Sequence, residues 1–200
     1  FYGMPDDIAA DPKLQAAFRK IVQIKIENHY KKAGFMSFGI VQLGQAAATL
    51  GDGELAYQAV VRLVNSYWLD NFASMHNPKS LLNMDVSGGL PAVIIQMLAG
   101  SAPGKVRLLP ALPREWPTGT IEGALCRGQI EIKRLTWKPG RIVATLLSKK
   151  PQTISLSVPS DIQGITATGL ATPIRLAGSP RAREVSLPQD KPATLDIRVR

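Results

Sequence analysis

The sequence holds one cysteine, Cys126, and two histidines, His29 and His76, in 200 residues. One thiol closes no internal disulfide, and so few Cys and His residues exclude the ligand spacings of a zinc site. Filling an apolar interior is the simplest role for Cys126. No run of about 18 apolar residues occurs, so no transmembrane helix is expected. The opening segment, Phe1-Tyr2-Gly3-Met4-Pro5-Asp6-Asp7, lacks the basic and apolar regions of a secretory signal. It also lacks an ordinary start, and the expectation is that the chain begins inside a longer one. A glycine-rich phosphate loop, a Ser/His/Asp set and a cysteine nucleophile are all missing. No metal and no cofactor is expected.

What is present is an ordinary globular balance, 45 % hydrophobic and 20 % charged. The net charge of +9 is unevenly placed. Residues 1–103 carry 8 Lys/Arg and 8 Asp/Glu, and residues 104–200 carry 16 and 7. Such asymmetry is one mark of a polyanion partner. Here the cations are spread singly along strand-like segments, with Lys149-Lys150 the one adjacent lysine pair, which suits solvated strand faces and protected edges. Neither nucleic acid nor a membrane is an expected partner.

The first half reads as helices. Asp11-Pro12 supplies an N-cap followed by proline at the first helical position. Leu14, Phe18, Ile21, Val22 and Ile26 follow at helical spacing, with Gly34 as a stop. A second helix over about 37–50 is rich in small residues, and Gly51-Asp52-Gly53 separates it from a third over about 54–68. This is the helix, tight turn, helix pattern of a bundle or an α/α barrel. A loop over about 70–89 is long for a compact domain and carries His76, Asn77, Asn83, Asp85 and Ser87. A fourth helix over about 90–99 is apolar on all sides, hence buried, with Pro91 in its first turn.

From Gly104 onward the pattern is short strands with the period of two of half-buried sheets, as in Ile130 and Ile132 or Ile154, Leu156 and Val158. The expected strands cover 105–109, 120–126, 129–137, 141–148, 153–158, 164–168, 183–187 and 194–199. Helices followed by strands form a segregated arrangement, which points to two domains, 1–103 and 104–200. The second reads as an antiparallel β-sandwich.

Two segments together carry a family resemblance. One runs Asp85-Val86-Ser87-Gly88-Gly89-Leu90-Pro91 into the apolar helix. The other is Leu108-Leu109-Pro110-Ala111-Leu112-Pro113, followed by Trp116-Pro117-Thr118-Gly119. With Gly51-Asp52-Gly53-Glu54-Leu55-Ala56-Tyr57 upstream, they resemble the C-terminal region of glycoside hydrolase family 95, the α-L-fucosidase family, over about residues 35–137. The resemblance implies the closing helices of an (α/α)6 barrel followed by a C-terminal β domain. It implies an inverting hydrolase acting on terminal α-L-fucosyl or related L-galactosyl residues, with a periplasmic or secreted location. The expected partners are an oligosaccharide substrate and the upstream N-terminal part of the same protein.

The family's general base is the aspartate of an Asp-Gly-Asn segment, and Asp85 stands at that position. Inverting glycosidases set a base that activates water opposite a protonated acid, and the family's acid is a glutamate outside this chain. Asn83 and Ser87, two residues to either side, are expected to orient the Asp85 carboxylate or its water, and His76 to contact a sugar hydroxyl. The chain departs from the pattern in reading Asp85-Val86-Ser87, and in placing His76 nine residues before the aspartate rather than about six. The plainer readings are a helix-terminal Asp85, a loop His76, a Trp116 packed under the proline-rich loop, and a solvated Glu27. The alternative function is a non-catalytic carbohydrate-binding or structural module of the same fold. A third is a basic β domain on an anionic polymer, whose binding would fall steeply with salt.

Overall fold

The computed structural model describes residues 6–31 and 36–200. Gly34, the expected helix stop, lies outside the described residues. Among the described residues five helices come in order: α1 (Asp6–Ala10), α2 (Pro12–Lys31), α3 (Ser37–Thr49), α4 (Gly53–Tyr67) and α5 (Asp85–Leu98), with a hairpin of β1 (Met75–Asn77) and β2 (Ser80–Leu82) before α5. The remaining strands follow it: β3 (Ala99–Ala102), β4 (Lys105–Leu108), β5 (Gly119–Cys126), β6 (Ile130–Lys138), β7 (Arg141–Ser148), β8 (Gln152–Ser157), β9 (Ile162–Thr168), β10 (Arg175–Leu176), β11 (Ala182–Leu187) and β12 (Pro192–Val199). The chain divides into two compact units, one of residues 1–97 with 111–113 and one of residues 98–110 with 114–200.

In the helical unit, α2 starts where its cap dictates. The Asp11 carboxylate accepts from the backbone N–H groups of Lys13 at 2.8 Å and Leu14 at 3.2 Å. Between α3 and α4, Gly51 takes a left-handed φ of 71° and its N–H bonds the Ala48 carbonyl at 3.1 Å, ending the helix as a left-handed residue does. Asp52 then caps α4 through the Leu55 N–H at 3.1 Å. The small residues of α3 are there for proximity. A Cβ on Gly44 would stand 3.1 Å from the Ala59 methyl and 3.0 Å from a Val93 methyl, so α4 and α5 both lie close against it. Ile26, Ile40, Leu63, Tyr67 and Val93 are fully buried.

Two differences from the sequence expectation concern the segment before α5. The long loop contains the β1–β2 hairpin, paired Met75 to Leu82 and Asn77 to Ser80. The helix begins at Asp85 rather than Leu90, so Pro91 lies inside it and not in its first turn. Two consecutive glycines and a proline disfavour a helix start by propensity, but packing of Gly89 on α3 overrides that weak prior.

The β unit forms two five-stranded sheets, in the orders β10-β11-β8-β4-β3 and β5-β6-β7-β12-β9. Both bury one face in alternation: Ile154 and Leu156 of β8 and Val185 and Leu187 of β11 in one sheet; Ile142, Ala144 and Leu146 of β7 and Leu195 and Ile197 of β12 in the other. Two mostly antiparallel sheets with one apolar face each are consistent with a sandwich. The exception to antiparallel pairing is β4 beside β8, which run parallel with Val106 opposite Leu156. A second irregularity is a bulge between Ile132 and Arg134. It shifts the alternation by one residue, so Ile130 and Ile132 before it and Leu135 and Trp137 after it all point inward.

Candidate functional site

The residues singled out by sequence lie between Trp68 and the first turn of α5. After α4 the chain turns sharply: the Phe72 N–H bonds the Leu69 carbonyl at 2.9 Å, and the Ala73 carbonyl accepts from the Leu69 N–H at 3.0 Å. The Asn71 side chain accepts from the Ala73 N–H at 3.1 Å. Phe72, Lys79 and Leu81 hold positive φ values of 62°, 59° and 60°, a conformation uncommon for side chains of this size. Phe72, Leu81, Leu82 and Met84 stand largely in solvent.

Below this surface lies a hydrogen-bonded junction. The Asn83 N–H donates to the Ser74 carbonyl at 2.9 Å. The Ser74 hydroxyl donates to the Asn83 carbonyl and meets the Ser87 hydroxyl at 2.8 Å. The Asn83 side-chain oxygen accepts from the Asp85 backbone N–H, one of the donors that a helix start leaves without an intrahelical partner. Asp85 thus occupies the first turn of α5, where the helix dipole favours an anion.

Asn83 and Ser87 are drawn into the same cluster as Asp85, and among the described residues neither side chain bonds its carboxylate. Asn83 secures the backbone of Asp85, and Ser87 secures the loop through Ser74. Among the described residues the Asp85 carboxylate accepts no hydrogen bond and forms no ion pair, and the residue is half-buried. It is therefore held at the backbone and left open at its oxygens.

His76 is half-buried on β1 and stands apart from this junction. Its Nδ1 bonds the Asn77 side-chain oxygen. This contact engages one ring nitrogen and leaves Nε2 on the other side of the ring. No hydrogen bond joins His76 to Asn83, Asp85 or Ser87 among the described residues. Trp116 follows the proline-rich loop, and its carbonyl accepts from Trp137 Nε1 at 2.9 Å. Ser74 escaped the sequence reading: a single serine in a loop has no periodicity or spacing to mark it.

The titrating groups displaced from ordinary values lie elsewhere. Burial pushes the His29 pKa down, against a raising contribution from the Met36 carbonyl. His29 Nε2 is 3.4 Å from the Tyr67 hydroxyl, and burial pushes the Tyr67 hydroxyl up. Burial likewise raises the Cys126 thiol, which makes it inert rather than nucleophilic. Among the described residues no three His, Cys, Asp or Glu side chains are grouped to hold a metal ion, and no helix is long and apolar enough to cross a membrane. An open depression of about 460 Å³ in the β unit is lined by Ile165, Leu170, Thr172 and Pro173 among others. It contains no titratable side chain.

Residues 100–182 match the model of the glycoside hydrolase family 95 C-terminal domain. Alpha-L-fucosidase 2 of Arabidopsis thaliana is 28 % identical over an alignment of 129 residues that covers 59 % of this chain and 15 % of that protein. The chain therefore spans about 15 % of the length of the curated relative it matches. Among solved structures, a glycoside hydrolase family 30 subfamily 8 xylanase from Clostridium acetobutylicum aligns at 13 % identity over 36 % of this chain and 21 % of that one, with a TM-score of 0.30. The family model and the curated relative together show a chain similar to the C-terminal region of glycoside hydrolase family 95, or of a close relative of that family.

Proposed function

We propose that this chain is the closing part of an inverting glycoside hydrolase that removes terminal α-L-fucosyl or related L-galactosyl residues. The observation that carries the reading is the Asp85 carboxylate: it stands at the family's general-base position, fixed through its own backbone N–H and open at its oxygens. In this role Asp85 takes a proton from a water molecule as the water oxygen attacks the anomeric carbon. The bond from that carbon to the leaving oxygen breaks on the opposite face, and the leaving oxygen takes a proton from an acid supplied elsewhere in the protein. His76, through the ring nitrogen that Asn77 does not engage, fits a contact with a sugar hydroxyl.

The helices belong, on this reading, to an (α/α)6 barrel completed by other helices of the same polypeptide. Support comes from α2, where Leu14, Phe18, Ile21 and Ile24 are each 42–48 % exposed while Val22, Ile26 and His29 are buried. A helix with apolar residues on its outer side is one built for cover on both sides.

The test is hydrolysis of aryl α-L-fucosides and α-L-galactosides by the complete polypeptide and its Asp85→Asn variant. The expected result is cleavage of one sugar and a loss of about a hundredfold or more in Asp85→Asn. Cleavage of neither sugar by a folded parent would refute the substrate assignment and favour a carbohydrate-binding module instead. Cleavage unaffected by Asp85→Asn would refute the base assignment alone.

A further inference from the structure

Ser74 is 3 % exposed, and its hydroxyl stands between two partners of unlike capacity. The Asn83 carbonyl oxygen can only accept, so the single Ser74 proton goes to it. Ser87 Oγ lies 2.8 Å from Ser74 Oγ. With the Ser74 proton committed, the proton shared in this second bond belongs to Ser87. The Ser87 hydroxyl is left with lone pairs and no free proton, although the residue itself is exposed in the first turn of α5.

We propose that Ser74 is a positioning residue that makes Ser87 an obligate hydrogen-bond acceptor for one hydroxyl of a pyranose bound beside Asp85. The proposal rests on the glycosidase reading and deepens it. Left to itself a serine hydroxyl rotates, donating or accepting as its surroundings ask. Here rotation is arrested by a buried neighbour that has no second proton to give. A pyranose hydroxyl, which carries a proton to donate, satisfies Ser87. A ring oxygen or a fluorine, which can only accept, meets lone pair against lone pair.

The experiment uses the complete polypeptide and competitive binding of L-fucose or L-galactose, whichever it binds. Each sugar is compared with its monodeoxy and monodeoxyfluoro analogues, the fluorine being able to accept but not to donate. At one ring position both the deoxy and the fluoro analogue should bind about five- to tenfold more weakly than the parent sugar. Ser87→Ala, at an exposed position, should bring that ratio at the same position close to one. Ser74→Ala frees the Ser87 proton and should selectively recover the fluoro analogue, while Ser74→Thr, which keeps the hydroxyl, should retain the parent's discrimination.

A Ser74 that merely holds the loop together would weaken all analogues alike and leave the ratios unchanged, which would overturn the proposal. So would a parent with no discriminating position, or discrimination that survives Ser87→Ala. If Ser74→Ala fails to fold by far-ultraviolet circular dichroism, the Ser87→Ala arm decides. A folded parent that binds neither sugar overturns the glycosidase reading and this proposal with it. A parent that binds sugar with Ser87-independent ratios overturns this proposal alone.

Discussion

Two adjacent glycines in α5 should respond to the same substitution with opposite signs. Gly88 and Gly89 are both helical, and alanine at either removes the conformational freedom that glycine has in the unfolded chain. That effect favours the folded state by about 1 kcal/mol in a helix interior. A Cβ on Gly88 meets nothing within 4 Å, so Gly88→Ala should stabilise by roughly that amount. A Cβ on Gly89 would lie 2.5 Å and 2.6 Å from the two Val41 methyl carbons and 3.2 Å from Val41 Cβ. Val41 is buried and β-branched, with little rotamer freedom to move aside, so α3 and α5 must separate. Overpacking costs about 1–3 kcal/mol, and an approach this close to a buried branched side chain belongs to the upper part of that range. The helix contribution is common to both variants and cancels in their difference, which isolates the clash at about 2–3 kcal/mol. Urea unfolding followed by helical ellipticity reads this directly. With a slope of about 1–3 kcal/mol per molar, the two midpoints should differ by about 1 M or more, with the wild type between them. Equal shifts, or a Gly89→Ala variant more stable than wild type, would refute the close approach of α3 and α5.

Other expectations follow from single contacts. Burial holds the His29 pKa below its ordinary value of about 6.5, so the unfolded chain takes up that proton first; the helical unit should keep its full stability above about pH 6.5 and lose it as the pH falls further. His29→Gln should flatten that slope in pH-dependent unfolding, and an unchanged slope would assign the effect to another group. On β5, a Cβ at Gly119 would lie 2.2 Å from Trp137 Cζ2, so Gly119→Ala should destabilise the β unit by about 2–3 kcal/mol and shift its tryptophan emission in a denaturant series. The Arg141 guanidinium bonds both Asp196 carboxylate oxygens and holds that carboxyl below its usual range. In Arg141→Gln its titration by NMR should move upward, with little change in stability because the pair is exposed; an unmoved titration would deny the pairing.

The legible parts of this protein share a physical feature, which is that their causes are local. Asp11 caps α2 through N–H groups two and three residues away, and Gly51-Asp52 ends one helix and starts another within a few residues. The strand pattern along β7, with Ile142, Ala144 and Leu146 inward, follows from the two-residue period of the backbone itself. The resemblance carried by the proline-rich segment after β4 was equally readable, because a motif is contiguous. Asp85 could be picked out by that resemblance, but its surroundings could not: the junction that holds Asn83 and Ser87 is built on Ser74, which sequence spacing leaves unmarked.

By itself, then, the sequence determined the order of helices before strands, the helix caps, the alternation of buried positions and the likeness to a glycosidase C-terminal region. All of these depend on residues close in the chain or on contiguous motifs. Only the tertiary structure decided that β4 runs parallel to β8, that the bulge beyond Ile132 restores Leu135 and Trp137 to the core, that α5 begins at Asp85, and that the Ser74 hydroxyl meets that of Ser87. Each of these is a contact between groups that the backbone separates, and its energy does not exist until the chain has folded far enough to bring the two together.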